Sequence, residues 1–269
     1  ILTPFFVEYK FYIDNQGGVP VTVATGENFQ PDLTAIETAI TEKTRAIIVN
    51  SPNNPTGVIY PKTTLMKLGK LLKRKEQQIG HPITVISDEP YARISFEEPV
   101  ANIFDCILNS VIVTSHSKDL ALPGERIGYL AANPAMPEVG LFMQGAIFCN
   151  RVLGFVNAPA LMQRLVTSLQ RCSVDIGEYR KKRDRLYNHL TGLGFKMVKP
   201  GGGFYLFPQS PMEDEMEFIR IAQKYLILLV PGTGFGAPGY FRIAYCVDDD
   251  MIERSLEAWD QLAIEIGLK

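Results

Sequence analysis

Four short apolar runs constrain the fold of this chain more than any other feature. They are Ala46-Ile47-Ile48-Val49-Asn50, Thr84-Val85-Ile86-Ser87, Val111-Ile112-Val113-Thr114 and Gly128-Tyr129-Leu130-Ala131-Ala132. Each is rich in β-formers and does not alternate, which predicts strands covered on both faces. Helical patterns lie between some of them. Asp32 to Ile40 offers an Asp cap with apolar residues at Leu33, Ile36 and Ile40. Pro61 to Gln78 opens with Pro in its first turn and ends near Gly80. Strand–helix–strand alternation predicts an α/β sheet. Ligands of such sheets bind at the carboxyl ends of the strands. Asn50, Asp88 and Ser115 fall there.

After Pro159 the pattern changes. Ala160 to Leu193 reads as a long helical stretch broken near Ser173, and its charge-dense middle, Glu178 to Arg185, reads as a solvated face. Two strands follow, around 202–207 and 240–245, with helices over 212–225 and 248–266. The expected organisation is a large domain over 1–172 and a small C-terminal α+β domain over 173–269 that includes the interdomain helix.

Composition bounds the partners. The net charge is -2 at pH 7, which argues against a nucleic-acid surface, because such modules carry a basic excess. Cys106, Cys149, Cys172 and Cys246 form no Cys-x-x-Cys pair, and with the scattered histidines they offer no zinc spacing. They read as buried, reduced thiols of a cytoplasmic protein. No apolar run approaches the roughly 18 residues that span a bilayer. The chain opens Ile1-Leu2-Thr3-Pro4, without Met, in what reads as the middle of a domain. The expectation is part of a longer chain.

The segment Thr114-Ser115-His116-Ser117-Lys118 carries the chemistry, with Arg126 eight residues further on. A carbonyl cofactor needs an amine nucleophile, and lysine supplies it on a flexible stem. A phosphate dianion suits a hydroxyl such as Ser115 and the guanidinium fork of Arg126. Together these residue types suit a Schiff-base lysine beside a phosphate site, as in a pyridoxal phosphate enzyme. The bland reading is a surface Lys in a strand-to-loop turn. Asn54 sits in the rigid turn Ser51–Gly57, where it can hold a ligand or merely tolerate the turn. Asp88 closes a strand with Tyr91 three residues on. A carboxylate there can keep a pyridine nitrogen protonated, although taken singly Asp88 reads as a turn cap. Arg242 lies in an apolar strand and needs a partner, either a substrate carboxylate or a nearby acid. Gly234 to Gly239 satisfies G-x-G-x-x-G, but Pro238 interrupts it and a strand follows, so it reads as a turn.

Singly these motifs are weak. As an ordered set, Asn-Pro-Thr-Gly, Asp-x-x-Tyr, Ser-x-Ser-Lys, Gly-x-Arg-x-Gly and a late strand Arg, the sequence resembles the class I/II aminotransferases, in their aspartate aminotransferase-like group, from about Pro4 onward. The resemblance implies a pyridoxal phosphate fold of type I, with a three-layer α/β/α large domain and a mostly parallel sheet. It implies Lys118 as the cofactor-bearing lysine and proton shuttle, and Asp88 as the partner of the pyridine nitrogen. Asn54 and Tyr91 would bond the 3′ oxygen, and Ser115 and Arg126 the phosphate. Arg242 would clamp the substrate α-carboxylate, and Phe6 would stack on the ring. It also implies a homodimer acting on an amino acid and a 2-oxo acid, with no metal. The family's N-terminal arm and Gly/Ser-rich phosphate turn have no counterpart in this sequence. Two alternatives stay open: β-lyase chemistry on the same scaffold, and an inactive fragment.

Overall fold

The computed structural model describes residues 1–268. In chain order its elements are β1 (Leu2–Thr3), α1 (Glu8–Asp14), β2 (Val23–Ala24), α2 (Leu33–Ala39), β3 (Ala46–Asn50), α3 (Lys62–Ile79), β4 (Thr84–Asp88), β5 (Ser110–Ser115) and α4 (His116–Asp119). The second half adds β6 (Gly128–Ala132), α5 (Val139–Val152), α6 (Ala160–Ser168), α7 (Ile176–Gly192), β7 (Tyr205–Leu206), α8 (Glu215–Lys224), β8 (Val230–Pro231), β9 (Phe241–Ala244) and α9 (Asp249–Glu265).

The four apolar runs form one sheet in the order β3-β4-β5-β6. The first three strands are parallel and β6 is antiparallel. The fold is therefore α/β with a mostly parallel sheet. The helix signals hold for physical reasons. The Asp32 carboxylate accepts from the N–H groups of Thr34 and Ala35 at the start of α2. Gly80 ends α3 in the left-handed region, at φ 79°. The inner stripe of α3, with Leu65, Leu68 and Leu72, packs on Ile47, Val49 and Val85 of the sheet. A second core gathers Phe218, Phe241, Trp259 and Leu262 around the small antiparallel sheet β7-β9-β8. Tyr91, Ile94 and Phe96, from the loop after β4, belong to this second core.

The break expected near Ser173 is present: the chain leaves helical geometry over 169–175, between α6 and α7, before Asp175 caps α7. Other expectations need correction. The charge-dense middle of α7 is not wholly solvated. Arg183 is 1% exposed: its Nη2 pairs with Glu97 at 2.7 Å, its Nη1 donates to the Pro200 carbonyl at 2.9 Å, and it lies over the Phe96 ring. Three of the cysteines are exposed and Cys106 is half-buried, so they are free thiols but not core residues. Coverage of the sheet is uneven: β4 alternates between buried and half-buried positions, and the first three residues of β6 are exposed. Nearby, α5 buries none of its residues, and Leu141, Ile147, Phe148 and Val152 all face solvent. No helix among the described residues is long and apolar enough to cross a membrane.

Candidate active site

Parallel pairing brings the carboxyl ends of β3 and β4 into register, with Asn50 opposite Asp88. The Asn50 amide donates to the Asp88 carbonyl at 2.8 Å, and its Oδ1 accepts the Asn54 N–H at 2.6 Å. The turn after β3 is fixed from within: Asn53 Oδ1 accepts from both the N–H and the hydroxyl of Thr56. It is fixed from outside as well. Gly57, at φ +69°, accepts the N–H groups of Gly201 and Gly202, and a Cβ there would stand 2.5 Å from Pro200. Such an approach leaves no room for a side chain.

The rigid turn presents Asn54 to Arg242 of β9, 188 residues away, whose Nη1 donates to Asn54 Oδ1 at 2.9 Å. The Arg242 guanidinium meets two rings, 4.4 Å from the centroid of Tyr205 and 4.8 Å from that of Phe235. Its Nε is buried with no hydrogen-bond partner. A half-buried guanidinium with an idle, buried donor is suited to an anion with two oxygens in a plane.

Asp88 is reached from a third direction. Tyr9 on α1 donates its hydroxyl to Asp88 Oδ2. Burial pushes the Asp88 carboxyl above the usual range, and the Tyr9 bond draws it partly back. The Tyr9 phenol is pushed up in turn, first by burial and then by the neighbouring Asp88 charge. Tyr9 also meets Phe6 edge to face, at 5.6 Å between centroids. Tyr91 is buried, and its hydroxyl meets that of Tyr205 at 3.3 Å. Burial pushes its phenol up; Asp88 adds to the rise and Arg242 opposes it. Tyr91 therefore feels both the acid and the guanidinium.

Lys118 lies on the one-turn helix α4, half-buried. Its amine stands 5.4 Å from the Phe204 ring centroid, and Phe204 packs edge-on against Tyr91 at 5.2 Å. The amine thus faces the same aromatic wall as Tyr91. Ser115 occupies the cap position of α4, but its side chain makes no capping bond. Its strand partner is Gly128, where a Cβ would meet the Thr114 carbonyl at 2.3 Å. Arg126 stands apart from this cluster. Its backbone is left-handed, its side chain is exposed, and Nη1 donates to the Pro123 carbonyl within its own turn.

Sequence reasoning missed Tyr9, Phe204, Tyr205 and Phe235. Tyr9 had a signal, since it follows Phe6 by three residues at the start of a helix, a spacing that lets side chains meet. Phe204 and Tyr205 lie in the aromatic strand after Gly201-Gly202-Gly203, which reads locally as core.

The profile of the family described as "Aminotransferase class I and II" matches residues 1–258. The chain belongs to this family. Among curated relatives, the aspartate/prephenate aminotransferase of Thermus thermophilus is 34% identical, over 96% of this chain and 67% of that protein. A probable aspartate aminotransferase of Methanocaldococcus jannaschii is 31% identical, over 95% of this chain and 68% of its own length. A crystal structure of an aminotransferase from Eubacterium rectale superposes with a TM-score of 0.95 at 38% identity, covering 98% of this chain and 67% of that one. The chain spans about two thirds of the length of these relatives. The fold is that of the type I pyridoxal phosphate enzymes, and the function is that of an aminotransferase, whose substrates are amino and 2-oxo acids.

Proposed function

We propose that this aminotransferase works with pyridoxal phosphate attached at Lys118, and that Asp88, Tyr91, Asn54, Phe6, Ser115, Arg126 and Arg242 build the site around it. The observation that carries the reading is that a half-buried acid, Asp88, and a half-buried guanidinium whose Nε is buried without a partner, Arg242, both act on Tyr91. The donor set fits the cofactor. Burial disfavours the Asp88 anion, and a protonated ring nitrogen is a partner that would stabilise it. Arg242 has an open donor for a carboxylate.

When bound, the cofactor supplies an electron sink for the bonds at the substrate α-carbon. The protein's residues do the rest. Arg242 holds the α-carboxylate, and Asn54 fixes the guanidinium through its Oδ1. Asp88, oriented by the Tyr9 hydroxyl, would keep the ring nitrogen protonated. Tyr91 would donate to the cofactor's phenolic oxygen, and Phe6 would pack on its ring. Once the substrate's amino group has displaced it from the cofactor, the Lys118 amine would be free to take the proton from the α-carbon and deliver it within the site. Ser115 and Arg126 would serve the phosphate, Arg126 after giving up its bond to the Pro123 carbonyl.

The exposed apolar residues of α5 and β6 support a homodimer, because surfaces of this kind mark association sites. The free cysteines support a cytoplasmic location. The two cores support two domains, divided at 172/173 in the chain, with Tyr91, Ile94 and Phe96 of the first crossing into the core of the second.

The test adds an amino acid to the loaded protein without an oxo acid. The visible absorbance band of the cofactor should disappear and return on adding a 2-oxo acid. A band indifferent to every common amino acid would overturn the reading. Ammonia release without an acceptor would move it to lyase chemistry.

A further inference from the structure

Glu215 opens α8 and is buried at 5% exposure, away from the groups assigned above. Both of its oxygens accept from backbone. Oε1 takes the Thr233 N–H at 2.9 Å, and Oε2 takes the Gly239 N–H. These two N–H groups bracket the loop between β8 and β9. Internal bonds tighten that loop: the Gly232 N–H donates to the Tyr240 carbonyl at 2.7 Å, and the Ala237 N–H to the Gly232 carbonyl at 3.0 Å. Its glycines are needed for the close fit. A Cβ at Gly232 would stand 2.2 Å from the Ala237 carbonyl, and one at Gly236 would stand 2.7 Å from the Phe5 ring.

The loop delivers one side chain to the site. The Phe235 ring lies 4.8 Å from the Arg242 guanidinium, which also meets Tyr205 at 4.4 Å. The Phe235 carbonyl accepts the Phe5 N–H at 3.1 Å, so the loop also grips the segment that carries Phe6. Burying a carboxylate on two backbone donors is costly compared with an apolar contact. What the anion offers is two acceptors at a fixed separation, which pin both ends of the loop at once.

We propose that Glu215 is a positioning residue for carboxylate recognition: it holds the 232–239 loop so that Phe235 keeps Arg242 in the orientation that grips the substrate α-carboxylate. This rests on the reading of Arg242 given above. Glutamine at 215 keeps the size but turns one acceptor into a donor that faces a backbone N–H, so one end of the loop is released. The amino acid and the 2-oxo acid both carry the α-carboxylate. Loss of the anchor therefore weakens both substrates together.

The test compares wild type, E215Q and F235L as holoenzymes. For E215Q the KM of amino donor and oxo-acid acceptor should each rise about tenfold, with kcat within about threefold. F235L, which removes one ring and leaves the anchor, should raise both KM values about threefold. Succinate, a carboxylate that does not react, is titrated calorimetrically as an independent readout, and its Kd should rise in parallel. Wild-type KM and succinate Kd values in E215Q, with only thermal stability lowered, would overturn the proposal. If E215Q fails to fold, F235L decides: unchanged KM and Kd values there overturn it equally. Wild type that binds succinate but transfers no amino group would sink the functional reading alone, and the succinate series would still decide the role of Glu215.

Discussion

Replacing Tyr9 with Phe removes one hydroxyl and leaves the ring packing against Phe6 intact. The hydroxyl donates to Asp88, whose carboxyl is raised by burial and drawn partly back by this bond. A hydrogen bond to a charged group is worth about 1.5–3 kcal/mol, against about 0.5–1.5 kcal/mol when both groups are neutral. The sign follows from which form is stabilised. Burial raises the folded pKa of Asp88, so that part of its contribution favours folding at low pH and fades as pH rises through the folded value. The Tyr9 bond acts the other way. It favours the anion, so its full worth is present above the folded pKa and declines as pH falls through it. Cofactor-free Tyr9→Phe protein should therefore melt about 3–12 °C below wild type at about pH 8, taking 2–4 °C per kcal/mol for a chain of this size. As pH falls through the raised Asp88 value, the gap should shrink toward the smaller loss of a neutral hydrogen bond, so it should be smaller at about pH 4 than at about pH 8. Thermal unfolding followed by circular dichroism at both pH values reads this directly. Equal melting temperatures at pH 8, or an equal gap at both pH values, would refute the coupling between Tyr9 and the Asp88 charge. In an Asp88→Asn background, the Tyr9→Phe loss should match the small neutral value.

Two further predictions rest on geometry. Arg242→Lys keeps the charge but loses the planar fork, so one of two bonds to the substrate carboxylate goes. KM for donor and acceptor should both rise about 10- to 150-fold in steady-state kinetics, from 1.5–3 kcal/mol per charged bond. Gly128→Ala places a Cβ 2.3 Å from the Thr114 carbonyl and 3.0 Å from Ser115 Cα. Separating β5 from β6 should cost about 1–3 kcal/mol in denaturant unfolding, and retained wild-type stability would contradict the close strand pairing.

The parts of the fold that were legible in the sequence are those with a local cause. The apolar runs of β3 to β5 are dense in β-branched residues, and α2 and α3 carry start and stop signals at Asp32 and Gly80 respectively. Helix α5 was not legible because it has apolar residues without a clear inward stripe, and the described chain gives them no cover. Arg183 was misread because local charge density says nothing of Glu97 and Phe96, which reach it from 86 and 87 positions earlier in the chain. Asn54, Asp88 and Arg242 could be named as candidates from strand ends and an out-of-place charge. Their supports could not: the Tyr9–Asp88 bond spans 79 residues, and that between Tyr91 and Tyr205 spans 114. A tyrosine in an aromatic strand looks like core until the sheet places it beside a guanidinium.

The central claim concerns one amine. Reducing the pyridoxal-phosphate-loaded protein with borohydride and mapping its peptides should place the cofactor's mass on Lys118, with Lys118→Ala losing both the label and the yellow colour. A label on another lysine, or none on a correctly folded chain, would contradict the account.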